Sequence, residues 1–219
     1  MAGFFPDIGI TKKSVELFLS RSRDKNRFYI DDETAKEIEK IVRKIDRKMA
    51  KLGDVHPSEP ALVLRALEGE IVAEVLEWGY NWAGKNIFNA RSETVQERPM
   101  FRYDYENRRC IIPAKKFYEW KKSGGKQQEK YDFFSQGETL FLAGIYHKDP
   151  DGDRFAVLTQ EAEGCMVGIH DRMPLILTRG DVGKWLFSKE EAVRLLDRHF
   201  DKLQRKKSMQ EEYQQMSLF

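Results

Sequence analysis

Apolar residues at Ile38, Ile41, Val42, Ile45 and Met49 recur at helical spacing, Asp31 or Asp32 can cap the run, and Gly53 closes it. This pattern predicts the clearest helix of the chain. After "HPSEP" the period changes to extended segments. "ALVLRAL" and "IVAEVLEWG", joined through Glu68-Gly69-Glu70, read as a hairpin. "RRCIIP", "KFYEW", "KYDFF", "TLFLAGIY" and "RFAVLT" are rich in aromatic and β-branched residues and are separated by turn signals such as "KSGGK" and "DPDGD", so they predict further strands. Helical pattern returns late, where Ser188 and Glu191 stand three apart as a capping box before "AVRLLDRHF". Strands met by hairpins, with helices near the two ends, predict an α+β fold with mainly antiparallel sheet.

Composition narrows the picture. At 219 residues the chain suits one domain with a sizeable core. The formal net charge is only +2, so nucleic-acid binding would need a local basic patch. Two cysteines, Cys110 and Cys165, lie far apart without metal or redox spacing, which suits free thiols in a reducing compartment. No apolar run approaches the roughly 18 residues of a membrane span, and a cytoplasmic protein without membrane partners is expected.

Three polar clusters and a set of tryptophans carry the candidate chemistry. In "IFNARSET", Asn89 and Arg91 alternate along a strand-like run, so both side chains can face one side and hold an anion; a surface arginine beside a structural asparagine is the plainer reading. "FYEWKK" sets Glu119 between Tyr118 and Trp120, where apolar neighbours can raise its pKa towards that of a general acid or base, although a strand exposing every second residue explains it equally. "IHDRMP" joins His170, Asp171 and Arg172 before a proline, a proton-exchanging histidine in a loop or a structural one. Trp78, Trp82 and Trp120 are either core rings or, where exposed beside arginines, stacking platforms for unpaired bases. Cys165 and His170 lack further ligands at metal spacing, and Gly124-Gly125 is no phosphate loop, so no cofactor is expected.

The order and wording of these clusters together are specific. From Arg27 onwards, "RFYIDDE", "PSEPALV", "EWGY", "IFNARSET", "RRCIIPAKKFYEW", "FLAGIY", "FAVLT" and "IHDRMPLIL" resemble the SRAP family, the SOS-response-associated peptidase proteins that process abasic sites in DNA. The resemblance implies curved antiparallel sheets flanked by helices, a bacterial member, and a basic cleft for single-stranded DNA. It implies that the protein is a monomer in the cytoplasm, associated with the nucleoid during repair. Family members begin Met-Cys-Gly-Arg, and the exposed cysteine attacks the aldehyde of a ring-opened abasic site through amine and thiol, closing a thiazolidine crosslink. Carried over by position, Asn89 would orient the nucleophile, Glu119 would shuttle protons and His170 would assist sugar opening. Arg91 would hold a phosphate, while Arg27, Trp78, Trp120 and Arg172 would contact the DNA around the lesion.

The first residues depart from that pattern. Aligned on "RFYIDDE", the family's Cys-Gly falls on Lys25-Asn26, which makes 1–26 an atypical extension, 27–208 the domain and 209–219 a tail. Aligned instead on "MAGFF", Ala2 stands for the cysteine. Neither alignment supplies an N-terminal thiol, and Cys110 and Cys165 cannot substitute, because the thiazolidine needs amine and sulfur on one residue. Three accounts follow: a member without the crosslinking step, a Schiff-base lyase using the Ala2 amine, or a segment "SVELFLSRSR" packed over the cleft. A non-covalent module that shields lesions is the alternative to an enzyme. Peptidase activity is expected only as self-processing, since no Ser-His-Asp set stands out.

Overall fold

A computed structural model describes residues 5–8 (backbone), 53–121 and 129–208. The strands in chain order are β1 (Phe5–Ile8), β2 (Gly53–Asp54), β3 (Pro60–Leu67), β4 (Glu70–Trp78), β5 (Tyr80–Trp82), β6 (Lys85–Ile87) and β7 (Asn89–Arg91). They continue as β8 (Arg109–Ala114), β9 (Lys116–Lys121), β10 (Glu129–Phe134), β11 (Leu140–His147), β12 (Arg154–Glu161), β13 (Arg172–Pro174), β14 (Ile176–Leu177) and β15 (Gln204–Lys207). Among the described residues the helices are α1 (Pro99–Asn107), α2 (Val182–Phe187) and α3 (Lys189–Arg194), with short 3-10 turns between elements. The mixture is α+β and mostly antiparallel, as the strand runs predict. The predicted helix up to residue 52, the "KSGGK" turn, the tail 209–219 and the candidates Ala2 and Arg27 lie outside the described residues, and Gly53, expected to close that helix, opens β2.

Two sheets build the core. One has the order β15-β10-β9-β1-β2; in the other, pairing runs β12-β4-β3-β8-β11 and returns to β12, so that this sheet curls on itself. The β3–β4 hairpin pairs from Pro60↔Glu77 to Leu67↔Glu70, and Glu68 and Gly69 take positive φ (52° and 86°), the left-handed turn that a two-residue hairpin needs. Alternation along the strands makes both faces of the curled sheet apolar. Ala61, Val63, Trp78, Cys110, Ile112, Phe155 and Val157 pack on one face with Phe117 and Phe133 of the other sheet and with Met166 and Ile169 of a long loop. Leu62, Leu64, Ile111, Ala143, Ala156 and Leu158 pack on the opposite face with Phe101, Tyr105, Trp185 and Leu186 of the helices. Strand β1 joins the smaller sheet through Phe5↔Tyr118 and Asp7↔Asp54, so part of the stretch read as an extension pairs within the domain.

Helix α1, not foreseen from the sequence, starts with proline at its first turn, where the fixed φ suits a helix and the missing N–H is no loss. Its C-terminal carbonyls on Tyr105 and Glu106 accept from the Arg109 guanidinium at 2.9 and 3.2 Å, and Trp185 O accepts at 2.5 Å. Buried Asp104 is held by Arg108 and His147, each at 2.9 Å. The late helix is shorter than predicted: Ser188 accepts from the Glu191 N–H as its cap, but the last turn tightens at Leu195–Asp197 into a 3-10 turn.

Candidate functional site

Strand register fixes which candidate side chains face one another. β7 lies parallel to β12 with Asn89↔Val157, Ala90↔Leu158 and Arg91↔Thr159. Val157 belongs to the core between the sheets and Leu158 to the helix-covered face, so Asn89 and Arg91 look towards the space between the two sheets. Across that space, β9 pairs with β10 as Phe117↔Phe133 and Glu119↔Tyr131. Phe117 and Phe133 stack there, with centroids 5.1 Å apart, and period two puts Glu119 on their side.

Glu119 is fully buried, and neither carboxylate oxygen has a hydrogen-bond partner among the described residues. Burial pushes its pKa up to about 8, the Trp120 N–H offsetting this only in part. The group therefore holds a proton at neutral pH and can release it to a base of moderate strength. Asn89 Oδ1 is also buried without a partner among the described residues. Two unsatisfied polar groups on one inner space are costly in a folded chain unless a ligand completes them.

The loop of 162–171 closes one side. Met166 and Ile169 anchor it in the core, Ala162 N–H bonds to Asp171 O at 3.0 Å, and Arg205 donates to Cys165 O at 2.9 Å. His170 Nδ1 lies 3.0 Å from the Arg172 N–H and 3.1 Å from the Arg172 carbonyl oxygen, so the backbone of Arg172 fixes the direction of the ring. Arg91, Glu161, Val167, His170, Asp171 and Arg172 line an open depression of about 430 Å³. Arg91 is exposed there, and Val167 stands 62% exposed at its rim.

The residues expected to contact DNA lie in different surroundings. Trp78 is fully buried, its ring 6.1 Å from that of Phe155 and nearly parallel to it, its Nε1–H donated to Phe88 O at 2.8 Å; it is a core residue and presents no face to a base. Trp120 is half-buried, but strand alternation sends it to the face opposite Glu119, edge-on to Tyr118 and 5.8 Å from the Lys130 ammonium. It does not share the inner space with Glu119. Arg172 keeps its guanidinium on Glu93, with Nη1 and Nη2 at 2.6 and 2.8 Å from the carboxylate, so its charge is balanced within the protein.

Among the described tryptophans the most exposed is Trp82, 49% accessible, on the β5–β6 hairpin beside Lys85. Ala83 and Gly84 turn this hairpin with positive φ. Its base is clamped by Asn86, which donates to Ser58 Oγ at 2.5 Å and lies so close to Gly79 (φ 119°) that a Cβ there would meet Asn86 Oδ1 at 1.7 Å. The sequence already grouped Trp82 with the other indoles; the Ala83-Gly84 turn is the signal that lifts it from the core. Among the described residues no three His, Cys, Asp or Glu side chains gather as metal ligands, and no helix is long and apolar enough to cross a membrane.

Comparisons with known proteins give the family and the fold. Residues 25–214 match the family model for SOS response associated peptidase (SRAP). Abasic site processing protein YoqW of Bacillus subtilis (strain 168) is 39% identical over 127 residues, which cover 52% of this chain and 57% of YoqW. Abasic site processing protein YedK of Escherichia coli (strain K12) is 29% identical over 140 residues, 61% of this chain and 63% of YedK. The matches thus span less than two thirds of either relative. A protein of known crystal structure from Bacteroides thetaiotaomicron superposes with a TM-score of 0.68 over 94% of this chain and 91% of its own, at 21% identity, a likeness of fold.

Proposed function

Because the chain belongs to the SOS response associated peptidase family, we propose that it recognises and processes ring-opened abasic sites in single-stranded DNA. The observation that carries the reading is Glu119: a fully buried carboxyl, pushed up to about 8, on the inner face towards which Asn89 and Arg91 also look. An open-chain sugar is an aldehyde. Attack on it by an amine needs a proton at the carbonyl oxygen, release of water, and a proton removed from the nitrogen, all near neutral pH. A carboxyl that exchanges its proton near pH 8 serves both directions. Asn89 offers an amide to orient the nucleophile, His170 offers an imidazole to exchange a proton with the sugar oxygen as the ring opens, and exposed Arg91 balances a flanking phosphate. Trp82 offers a face on which a neighbouring base stacks.

The nucleophile is the N-terminal amine in this reading. β1 enters the smaller sheet with Phe5 opposite Tyr118, the residue before Glu119, and the chain's two cysteines are Cys110, buried in the core, and Cys165. Burial raises the pKa of both thiols, which opposes nucleophilic use. A Schiff base without thiol closure is the expected covalent species. Incubation with abasic single-stranded DNA, followed by a denaturing gel with and without borohydride, tests this. A band trapped only with reductant supports the amine route; a stable band without reductant overturns it; no band leaves a module that shields the lesion without covalent chemistry.

A further inference from the structure

One guanidinium links the three parts that carry the site. Arg172 opens β13, directly after the loop of His170. Its backbone N–H donates to His170 Nδ1 at 3.0 Å, and its Nη2 donates to Thr159 O at 2.5 Å, Thr159 being the register partner of Arg91. Both Nη atoms also grip Glu93, two residues past Arg91 in the 3-10 turn Ser92–Thr94 that continues β7. The planar fork fits a carboxylate in only one plane, so it fixes orientation as well as distance. Held this way, Arg172 cannot swing out to meet a phosphate without abandoning Glu93.

We propose that Glu93 is a positioning residue of this site: by clamping the Arg172 fork it sets the direction of the His170 ring and the seat of Arg91. The inference rests on the abasic-DNA reading for its purpose, but the geometry can be tested on the protein alone. Two further facts support it. The Glu93 carboxyl is held below its ordinary range, first by the Arg172 hydrogen bonds. Arg91, His170 and Arg172 all line the same depression, so a shift of the clamp moves its wall. His170 Nδ1 sits against both the N–H and the carbonyl oxygen of Arg172, at 3.0 and 3.1 Å, so the backbone at Arg172 holds the ring with Nε2 directed away from it.

The experiment uses the full chain with Glu93→Gln and Arg172→Lys. Gln removes the charge and half the fork, whereas Lys keeps the charge and removes the fork. Ring 15N shifts of His170 at neutral pH, the melting temperature, and the Kd for an abasic oligonucleotide are read for each. The expected result is one well-defined set of ring shifts in the parent, shifted and broadened ring signals in both variants, and roughly three- to tenfold weaker abasic-DNA binding. An unmoved ring in Glu93→Gln overturns the proposal, as does an Arg172→Lys variant that behaves like the parent, since charge alone would then suffice. A ring that moves while DNA affinity stays constant keeps the positioning role and counts against the DNA reading.

Discussion

Replacing Glu119 with glutamine should make the protein more stable at neutral pH while removing its chemistry. In the folded chain the carboxyl is fully buried and its pKa is raised from 4.5 to about 8. Below pH 4.5 it is protonated in both folded and unfolded chains and contributes no pH dependence. Between 4.5 and about 8 the unfolded chain has released the proton while the folded chain still holds it, so stability falls as pH rises. Each pH unit in that window costs about 1.4 kcal/mol, which amounts to roughly 3 kcal/mol by pH 7 and roughly 5 kcal/mol by pH 8. Glutamine matches the shape and stays neutral, so it escapes this cost. Urea unfolding at intervals from pH 5 to 8 checks the difference, with the parent losing stability relative to Glu119→Gln as pH rises. A constant difference across that range, or one that grows in the parent's favour, would refute the burial argument. The same titration predicts that DNA processing by the parent changes with a limb near pH 8 and that the limb vanishes with the carboxyl.

Arg91→Ala should weaken binding to single-stranded DNA of every sequence and lower the slope of log K against log salt by about 0.7, the share of one phosphate; titrations at several salt concentrations read it directly. Trp82→Ala should lose about 1–3 kcal/mol of single-strand affinity with little change in melting, as expected for one stacked base. Trp78→Ala should do the reverse, costing about 3–5 kcal/mol of stability through an unfilled cavity beside Phe155. Equal effects of the two tryptophan changes on melting would contradict their assigned places.

The strands were legible because their alternation is strong: the runs around Leu62, Val75, Ile111, Phe117, Leu142 and Val157 all became strands, and Glu68-Gly69 made the expected turn. Helix α1 was hidden because "PMFRYDYEN" is rich in aromatic residues that favour strands, although Phe101, Asp104 and Tyr105 bury one helical face. The pairing of Asn89 with Arg91 on one face followed from period two alone. Core burial was one of the readings open for the tryptophans, but that Trp78 is the buried one was not legible, because it depends on Phe155, far away in sequence, and on the parallel pairing of β4 with β12. The engagement of Arg172 was hidden for the same reason: Glu93 lies 79 residues away, and nothing local marks the two as partners.

The central claim is that this site reads the aldehyde of an opened abasic sugar. Binding of three single-stranded oligonucleotides of one sequence tests it most directly: undamaged, with a natural abasic site, and with a tetrahydrofuran analogue that cannot open. After borohydride treatment and a denaturing wash, the account predicts protein retained on the natural abasic strand and on neither of the others. Equal retention on the tetrahydrofuran strand, or on none of the three together with equal affinities for all, would contradict it.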